Sequence, residues 1–263
     1  MRVLASIALL CSILPAMAEA DLLFSQNFSS STNYQNYVAN TVTGTVTGDD
    51  RFNFLDIGPS AIVSATGNNW QLSNTGDGDT VFGKTLSATP VPLLRMQVDV
   101  NFAFTGQTQD VAIGYFQFGS PAGGASWGDM GFTVGSADNS FRILGGSGNF
   151  AGTQTVTMFL NGSGSTKNYT DPLGNQQSVA NGYNDVWVGN TFAGSLQYSW
   201  SSNPANAITG FRYVAPNGWL VGAVTTTFDN FNVVSVPEPA TLGMVSIAAA
   251  GLLLFRRRFS LMK

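Results

Sequence analysis

The side chains that could carry chemistry in this chain are almost all aspartates. The 263-residue sequence has no histidine, and its single cysteine, Cys11, lies near the start of the chain. Zinc sites, Ser-His-Asp triads and Cys-His dyads need those residues, so they are excluded as intact constellations from the rest of the chain. Carboxylates, amides and hydroxyls remain, and these groups can bind calcium or sugars.

A glycosidase would have to use aspartate alone. Hydrolysis of a glycosidic bond normally needs two carboxyl groups that flank it, one of them kept protonated. Glutamate occurs only at Glu19 and Glu238, outside residues 21–235. Asp49-Asp50 and Asp77-Gly78-Asp79 lie in predicted turns, where aspartate is common because it bonds the local backbone. We therefore expect no enzymatic activity, and an Asp-dependent, secreted glycan-active enzyme is the alternative.

Aromatic side chains are the candidates for sugar recognition, which uses flat rings beside amide and carboxylate groups. Trp127 is the first candidate because it lies in a predicted glycine-rich loop, 119–131, and Trp70 and Tyr169 follow. Packing in the core is the alternative for each of these rings.

The composition of residues 21–235 argues against nucleic acid as a partner. The whole chain is 44% hydrophobic and 10% charged, and residues 21–235 hold thirteen aspartates and six basic residues, a formal charge of −7. Such a surface repels nucleic acid and anionic membranes. Asn, Gln, Ser, Thr and Gly replace charge, and these residues favour turns and hydrated strand faces over helices.

The elements that must position these residues are strands. Residues 94–104 alternate, with apolar side chains at the even positions from Leu94 to Phe104 and Arg95, Gln97, Asp99 and Asn101 at the odd ones. This pattern predicts an antiparallel strand with one buried face. Residues 110–118 are apolar at both parities, which predicts a strand buried on both faces, and the polar residues 161–181 predict a long loop. No stretch before the tail has the period of a long helix, so we predict an all-β, two-sheet antiparallel sandwich, or jelly roll.

Three stretches resemble the concanavalin A-like, laminin-G-like group: residues 94–104, Val-Ala-Ile-Gly-Tyr-Phe at 111–116, and Phe-Asp-Asn-Phe-Asn-Val at 228–233. Another jelly roll, such as a carbohydrate-binding module, is the alternative. Jelly-roll modules that share the Asp-Asn ending often use such an aspartate in a structural calcium site. The resemblance therefore makes Asp229 a candidate calcium ligand. Asp77 and Asp79 are candidates too, because calcium needs only oxygen ligands, and aspartates without metal are the alternative.

One further pattern suggests a different ligand. Thr41, Thr43, Thr45 and Thr47 share one face of a predicted strand, which is similar to an ice-binding face. An ice- or surface-adsorbing protein is therefore another alternative, although a solvated edge strand has the same pattern.

The N-terminus has the three parts of a secretory signal peptide. Arg2 precedes an apolar run, 3–14, and small residues at Ala16-Met17-Ala18 and Ala18-Glu19-Ala20 provide cleavage sites. We assign residues 1–20 to the signal peptide and 21–235 to one exported domain. Cys11 leaves with the signal, so the exported domain has no disulfide.

The C-terminus, 236–263, has a second three-part pattern. Val236-Pro237-Glu238-Pro239-Ala240-Thr241 precedes an uncharged apolar run, 242–255, and the basic tail 256–263 begins with Arg256, Arg257 and Arg258. The run predicts a short transmembrane helix of roughly 21 Å. A bilayer core is about 30 Å thick, so a sorting signal fits better than a permanent anchor. The arginines would stay cytoplasmic.

This order of parts resembles the PEP-CTERM sorting signal of Gram-negative bacteria, and a plain tail anchor is the alternative. The same tail is sometimes labelled an ice-binding protein C-terminal domain. The resemblance implies that a membrane-embedded exosortase processes the chain after the secretion machinery exports it, and that the precursor is held transiently in the inner membrane. It also implies a place at the cell surface or in the exopolysaccharide matrix of a biofilm. We therefore expect a glycan-binding or structural, adhesive protein with polysaccharide as a ligand.

Overall fold

The structure is a computed structural model that describes residues 20–39, 51–66, 69–74, 79–86, 91–105, 111–119, 126–134, 140–197, 208–215 and 223–236. Phe54 and residues 126–129 are described by their backbone alone. The predictions for the signal peptide through residue 19, for Thr41 to Thr47 and for the tail from Pro237 onward lie outside these ranges.

The described residues form seventeen strands and one short 3-10 turn, Tyr34–Tyr37. The strands are β1 (Leu22–Gln26), β2 (Phe54–Asp56), β3 (Ala61–Thr66), β4 (Asn69–Asn74), β5 (Thr80–Thr85), β6 (Leu93–Phe104), β7 (Val111–Gly119), β8 (Ser126–Val134), β9 (Ser140–Ile143), β10 (Phe150–Ala151), β11 (Gln154–Asn161), β12 (Lys167–Thr170), β13 (Gln176–Val179), β14 (Tyr183–Val188), β15 (Thr191–Gln197), β16 (Gly210–Ala215) and β17 (Val224–Ser235).

Fifteen of the strands form two antiparallel sheets. The eight-stranded sheet has the order β15-β14-β11-β6-β17-β4-β3, with β1 also paired to β17, and the seven-stranded sheet has the order β10-β9-β8-β7-β16-β5-β2. Strands β12 and β13 pair only with each other. This arrangement confirms the predicted all-β, two-sheet antiparallel sandwich.

The main core lies between the inner faces of the two sheets. The alternation predicted for β6 is confirmed, because Leu94, Met96, Val98 and Val100 have no exposed surface. Aromatic rings of the seven-stranded sheet belong to the same core cluster, among them Phe116, Phe132, Phe211 and Tyr213. A core this rich in aromatics holds the domain together by buried area and edge-to-face ring contacts.

Two β-bulges change which residues reach this core. In β7 the register shifts between Ala112 and Gly114, so Ile113 is an extra residue. Ile113 and Phe116 therefore both lie in the core although their positions have opposite parity. The prediction that this strand is buried on both faces is wrong, because Tyr115 and Gln117 keep part of their surface exposed.

The second bulge lies in β17, between Asp229 and Asn232. It brings Phe228 and Phe231 into the core on either side of the shift. Asn230, at the bulge, has φ 50°, which lies in the left-handed region that asparagine tolerates better than most residues. The bulge keeps Asp229 and Asn232 on the outer side of the sheet, each opposite an outward residue of β6.

A hairpin covers one part of the outer face of the eight-stranded sheet. Strands β12 and β13 form it, and Tyr169 and Val179 pack with Leu93, Phe159 and Trp187 in a second, smaller core. The sequence predicted a loop for most of this segment, and the structure corrects that prediction. We call β12, β13 and the turn between them the cap hairpin.

Among the described residues, no helix is long and apolar enough to span a membrane. The predicted short transmembrane helix at 242–255 lies outside those residues.

Candidate functional site

The outer side of the eight-stranded sheet carries a continuous strip of polar side chains. It lies across β6, β11 and β17, which are neighbours in the sheet. Antiparallel pairing sets Asp99 opposite Thr155 and Asp229, and Gln97 opposite Thr157 and Asn232. We call this strip the polar face, and it consists of Arg95, Gln97, Asp99, Asn101, Thr155, Thr157, Thr227, Asp229 and Asn232.

The polar face exists because β6 alternates strictly, β11 keeps register with it, and the bulge in β17 leaves both Asp229 and Asn232 on the outer side. Side chains of adjacent strands that lie opposite each other are about 4.5–5.5 Å apart at Cβ, so the strip forms one surface. All its members are only partly exposed except Thr157, which is buried. Such shielding leaves the polar groups in contact with water but holds their orientations.

Two aspartates meet at the centre of the polar face. Asp99 and Asp229 are directly opposite each other on β6 and β17. The Thr155 hydroxyl donates to Asp99 Oδ1 at 2.5 Å, and Asn230 Nδ2 donates to Asp99 Oδ2 at 2.8 Å. The backbone N–H of Asn230 donates to Asp229 Oδ1 at 2.7 Å.

The surroundings of Asp229 change its acidity. Burial raises the pKa of the Asp229 carboxyl above its ordinary value, the Asn230 backbone N–H acts in the opposite direction, and the charge of Asp99 raises it further. Paired carboxyl groups with different environments are also the arrangement that acid–base chemistry uses. Here, however, both oxygens of Asp99 are already held by side chains of the protein.

Arg95 lies at the cap-hairpin end of the polar face. It is opposite Phe159 of β11 and Val234 of β17. Its Nη2 donates to Asn232 Oδ1 at 3.3 Å, and its Nε is buried with no hydrogen-bond partner. Burial lowers the pKa of this guanidinium.

The cap hairpin encloses a buried polar chain of its own. The Tyr169 ring stacks on Phe159 with centroids 3.9 Å apart. Trp187 Nε1 donates to the Tyr169 hydroxyl at 3.2 Å, and that hydroxyl donates to Asp185 Oδ2 at 2.9 Å. Asp185 is only 4% exposed.

The groups under the cap hairpin are strongly desolvated. Burial raises the pKa of Asp185, while hydrogen bonds from Ser195 and Tyr169 offset part of this effect. Burial likewise raises the pKa of the Tyr169 hydroxyl. The chain from Trp187 to Asp185 is internally satisfied, so it holds the cap hairpin in place.

At the far edge of the same sheet, an aromatic side chain is open to solvent. Phe192 of β15 is 44% exposed and its ring centroid lies 5.1 Å from that of Trp187. It is one of the few large apolar side chains exposed to this extent among the described residues.

The structure places two of the predicted sugar-binding aromatics inside the protein. Trp70 has no exposed surface and packs against Phe28, Phe52 and Phe82 in the main core. Tyr169 is 2% exposed and lies under the cap hairpin. Neither ring has an exposed face that a sugar could contact. The alternative, packing in the core, therefore holds for both Trp70 and Tyr169. Trp127 was predicted in a loop, and this is wrong, because its backbone lies in strand β8; the structure describes no side chain for it.

The candidate calcium ligands are not brought together. Asp79 immediately precedes β5 of the seven-stranded sheet, whereas Asp229 lies in β17 of the other sheet. Asp77 lies outside the described residues. Within the described ranges, no group of three or more acidic residues forms a metal-binding cluster. The partner of Asp229 is instead Asp99, which sequence reasoning had placed on the polar side of β6 without giving it a role.

Of the predicted sorting residues, only Val236 is described. Its backbone N–H donates to the carbonyl of Leu93 at 2.9 Å, and the N–H of Ser235 donates to the carbonyl of Asp21 at 2.9 Å. Both residues therefore continue the sheet up to the point where Pro237 begins. Pro237, Glu238, Pro239 and the three arginines lie outside the described residues.

Comparison with solved structures finds likenesses of low similarity. A carbohydrate esterase, vb_24B_21, from the Shiga toxin-encoding bacteriophage phi24B is 10% identical with a TM-score of 0.48, covering 83% of this chain and 100% of its own. The cellulose-induced protein Cip1 is 14% identical with a TM-score of 0.44, covering 81% and 97%. Alginate lyase vAL-1 from a Chlorella virus is 13% identical with a TM-score of 0.41, covering 71% and 93%. At TM-scores below 0.5, these likenesses carry no function to this chain.

Comparison with curated protein sequences finds no match. One family comparison does match: the PEP-CTERM protein-sorting motif covers residues 235–258. The predicted sorting signal is confirmed, while the concanavalin A-like assignment of the body stays a prediction. The chain carries a PEP-CTERM sorting motif, which implies an exported protein that exosortase processes from a membrane-anchored precursor.

Proposed function

We propose that the exported domain binds polysaccharide on its polar face, without cleaving it, and acts as an adhesive component of the cell surface or its exopolysaccharide matrix. The observation that carries this proposal is the polar face itself, a partly shielded strip of carboxylate, amide, hydroxyl and guanidinium groups. Sugars present rows of hydroxyls that pair with such groups. The sorting motif supports the location.

The arrangement of the two central aspartates favours binding over catalysis. A glycosidase needs one carboxyl group free to protonate the leaving oxygen and a second free to attack or to activate water. Asp99 already accepts hydrogen bonds from Thr155 and Asn230, one at each oxygen. A carboxylate held in this way can orient a sugar hydroxyl, but it is poorly placed to transfer a proton.

An Asp-dependent glycan-active enzyme is the second candidate, and one observation favours it. Asp229 has a raised pKa beside Asp99, which is the asymmetry that an acid and a base require. Release of reducing sugar ends from a bound polysaccharide, abolished by Asp229→Asn, would replace binding with hydrolysis as the function.

Affinity gel electrophoresis tests the proposal. The full-length chain, in mild detergent, would be run through gels that contain neutral or acidic polysaccharides, with and without calcium. We expect at least one polysaccharide to retard the chain. Asn101→Tyr places a large ring on the polar face next to the central aspartates and should abolish the retardation, because Tyr is well tolerated in strands but blocks the surface.

The matched control for this variant lies on the other sheet. Gln117→Tyr adds the same ring at a partly exposed position of β7, away from the polar face, and should leave retardation unchanged. If no polysaccharide retards the chain, or if both variants behave alike, the proposal fails.

A further inference from the structure

Among the residues that the structure describes, Arg95 has no carboxylate counter-ion, although the domain is acidic. Residues 21–235 hold six basic residues against thirteen aspartates, so a carboxylate partner would be easy to supply. Nevertheless, among the described residues Arg95 hydrogen-bonds only to the neutral side chain of Asn232. Its Nε has no partner although it is buried.

The sheet register explains why neither Asp185 nor Asp99, two described aspartates of the same sheet, pairs with this guanidinium. Asp185 lies opposite Phe159, which itself lies opposite Arg95, so two strand spacings separate Asp185 from Arg95. That separation is about 10 Å. Asp99 is on the same strand but four residues further along and is held by Thr155 and Asn230. Both carboxylates are therefore occupied elsewhere.

Packing alone accounts for the stem of Arg95 but not for its head group. The aliphatic part of an arginine commonly covers apolar neighbours while its charge stays in water, and Phe159 and Val234 are such neighbours here. A guanidinium that served only this purpose would not need to be desolvated. The Nε has no exposed surface, so an external acceptor would meet the Nη side of the guanidinium, whose hydrogen bond among the described residues is the 3.3 Å contact from Nη2 to Asn232.

We propose that Arg95, with Gln97 and Asn232 beside it, forms a subsite for the carboxylate of a uronic acid unit in an acidic polysaccharide. The proposal rests on the polar face being a polysaccharide-binding surface. The planar guanidinium fork matches a carboxylate in geometry and charge, and low local dielectric strengthens that contact. The side-chain amides of Gln97 and Asn232 offer donors to neighbouring hydroxyls.

The overall charge of the domain makes this subsite selective. At −7, residues 21–235 repel polyanions at long range, so the domain has no general attraction for them. An acidic polysaccharide can be retained only through a local contact that compensates its charge. On the polar face that contact is Arg95, because the other two charged members, Asp99 and Asp229, are both acidic.

The test compares ligands before it compares variants. Affinity electrophoresis of the unmodified full-length chain would use polygalacturonate, the same polymer after chemical reduction of its carboxyl groups, dextran sulfate and dextran. We expect retardation by polygalacturonate and loss of most of it after carboxyl reduction. Equal retardation by the reduced polymer would overturn the inference, and equal retardation by dextran sulfate would overturn the assignment to a carboxylate.

Variants then locate the contact. Arg95→Gln should weaken binding of polygalacturonate by about ten-fold or more, because it removes a charged hydrogen-bond donor. Arg95→Lys keeps the charge without the fork and should fall between Arg95→Gln and the unmodified chain. Arg212→Gln is the matched control, since Arg212 lies in β16 of the other sheet and bonds Gln117. Unchanged affinity in Arg95→Gln would refute the subsite.

Failure of this inference is distinguishable from failure of the proposed function. If neutral and acidic polymers bind equally and Asn101→Tyr abolishes both, the polar face binds polysaccharide and the carboxylate subsite is wrong. If no polymer binds, both proposals fall together.

Discussion

Two buried aspartates near the cap hairpin have pKa values that move in opposite directions. Asp185, under the cap hairpin, has a raised pKa because burial outweighs its hydrogen bonds from Ser195 and Tyr169. Asp171 lies in the turn of the cap hairpin, and burial acts to raise its pKa too. Hydrogen bonds from Gln177, Asn175 and Leu173 outweigh burial and hold the pKa of Asp171 below its ordinary value. The number of donors around each carboxyl thus decides which direction wins.

Replacing Asp185 by asparagine should stabilise the domain at neutral pH. A raised folded-state pKa means that the native state favours the protonated form, so this group stabilises the fold below about pH 4 and loses that contribution as pH rises. Asparagine keeps an oxygen for the Tyr169 hydroxyl and carries no charge to desolvate. We expect a higher free energy of unfolding than in the unmodified chain at pH 7 and no difference near pH 3, measured by urea unfolding at each pH.

Asp171→Asn supplies the control of opposite sign. A lowered folded-state pKa stabilises the fold above about pH 4 and loses that contribution as pH falls. This variant should therefore be less stable at pH 7 and close to the unmodified chain near pH 3. A pH profile that shifts in the same direction for both variants would contradict the assignment of these two environments.

Sequence alone could identify the residue types at this scale but not their exposure. Trp70, Tyr169 and Trp127 all sit among polar and glycine residues, and that pattern is the same for a binding ring and for a buried one. Contacts distant in sequence decide the outcome: Trp70 packs against rings of other strands, and Tyr169 is covered because its hairpin folds back onto β11. The sequence correctly placed Arg95 on the outer face. Only the structure shows that, among the described residues, its guanidinium bonds to Asn232 and not to a carboxylate.

At the scale of the elements, the cap hairpin depends on a core separate from the main one. Its inward residues are Tyr169 and Val179, which pack with residues of the eight-stranded sheet in the smaller cluster. Asn161 Nδ2 adds hydrogen bonds to the carbonyls of Ser165 and Val179, at 2.7 and 2.8 Å. The two clusters share no residue, so the cap hairpin can open without unfolding the sandwich.

Tyr169→Ala should release the cap hairpin and leave the two sheets folded. Removal of a buried aromatic side chain costs about 3–5 kcal/mol, and here the loss falls on the smaller core. Hydrogen exchange should accelerate for residues 167–179 and stay unchanged in β6, β7 and β17. Leu173→Ala removes a side chain that is 55% exposed in the same hairpin and should change neither. Global unfolding of Tyr169→Ala would show that the two cores are coupled.

Gly114 should not tolerate even alanine. It follows the bulge in β7, where an added Cβ would lie 1.8 Å from the hydroxyl oxygen and 2.3 Å from Cζ of the buried Tyr213. We expect Gly114→Ala to destabilise the domain by about 1–3 kcal/mol or more, because Tyr213 has no room to move among its ring neighbours. Thermal unfolding measures the loss. A variant as stable as the unmodified chain would disprove the close approach.

Strand periodicity predicted the sandwich because most strands alternate in the ordinary way. The strict alternation of β6 predicted both its buried side and its polar side. Periodicity gave a wrong prediction for β7, where a bulge inserts one residue. Inward residues then lie at both odd and even positions, which is the same pattern as in a strand buried on two faces. Periodicity also failed for the cap hairpin, whose strands have only Tyr169 and Val179 as inward side chains.

At the scale of the whole molecule, the boundary between fold and sorting signal falls between Val236 and Pro237. Residues Asp21–Val236 form one compact unit, and the sorting motif begins at residue 235. Ser235 and Val236 therefore belong both to the compact unit and to the sorting motif. Their backbone N–H groups donate to the carbonyls of Asp21 and Leu93, respectively. There is no linker between the sheet and the Pro-Glu-Pro sequence.

The exported form should end shortly after Val236. Removal of the apolar tail is expected from the sorting motif, but loss of Ser235 or Val236 would break the bonds to Asp21 and Leu93. Intact mass spectrometry of the protein recovered outside the inner membrane measures the position. A C-terminus far from Pro239, or a full-length protein still held in the inner membrane, would contradict this account.

The position of β17 also decides when the domain can fold. Although it is the last strand along the chain, it lies inside the eight-stranded sheet, with β6 on one side and β4 and β1 on the other. Before β17 is in place, β6 can pair with β11 and β4 with β3, but no strand connects β6 with β4 or β1. Contacts between distant parts of the chain form slowly in folding. A chain interrupted before residue 224 stays open to proteolysis. A molecule that completes the sheet has therefore already synthesised residue 235, the start of its own sorting motif.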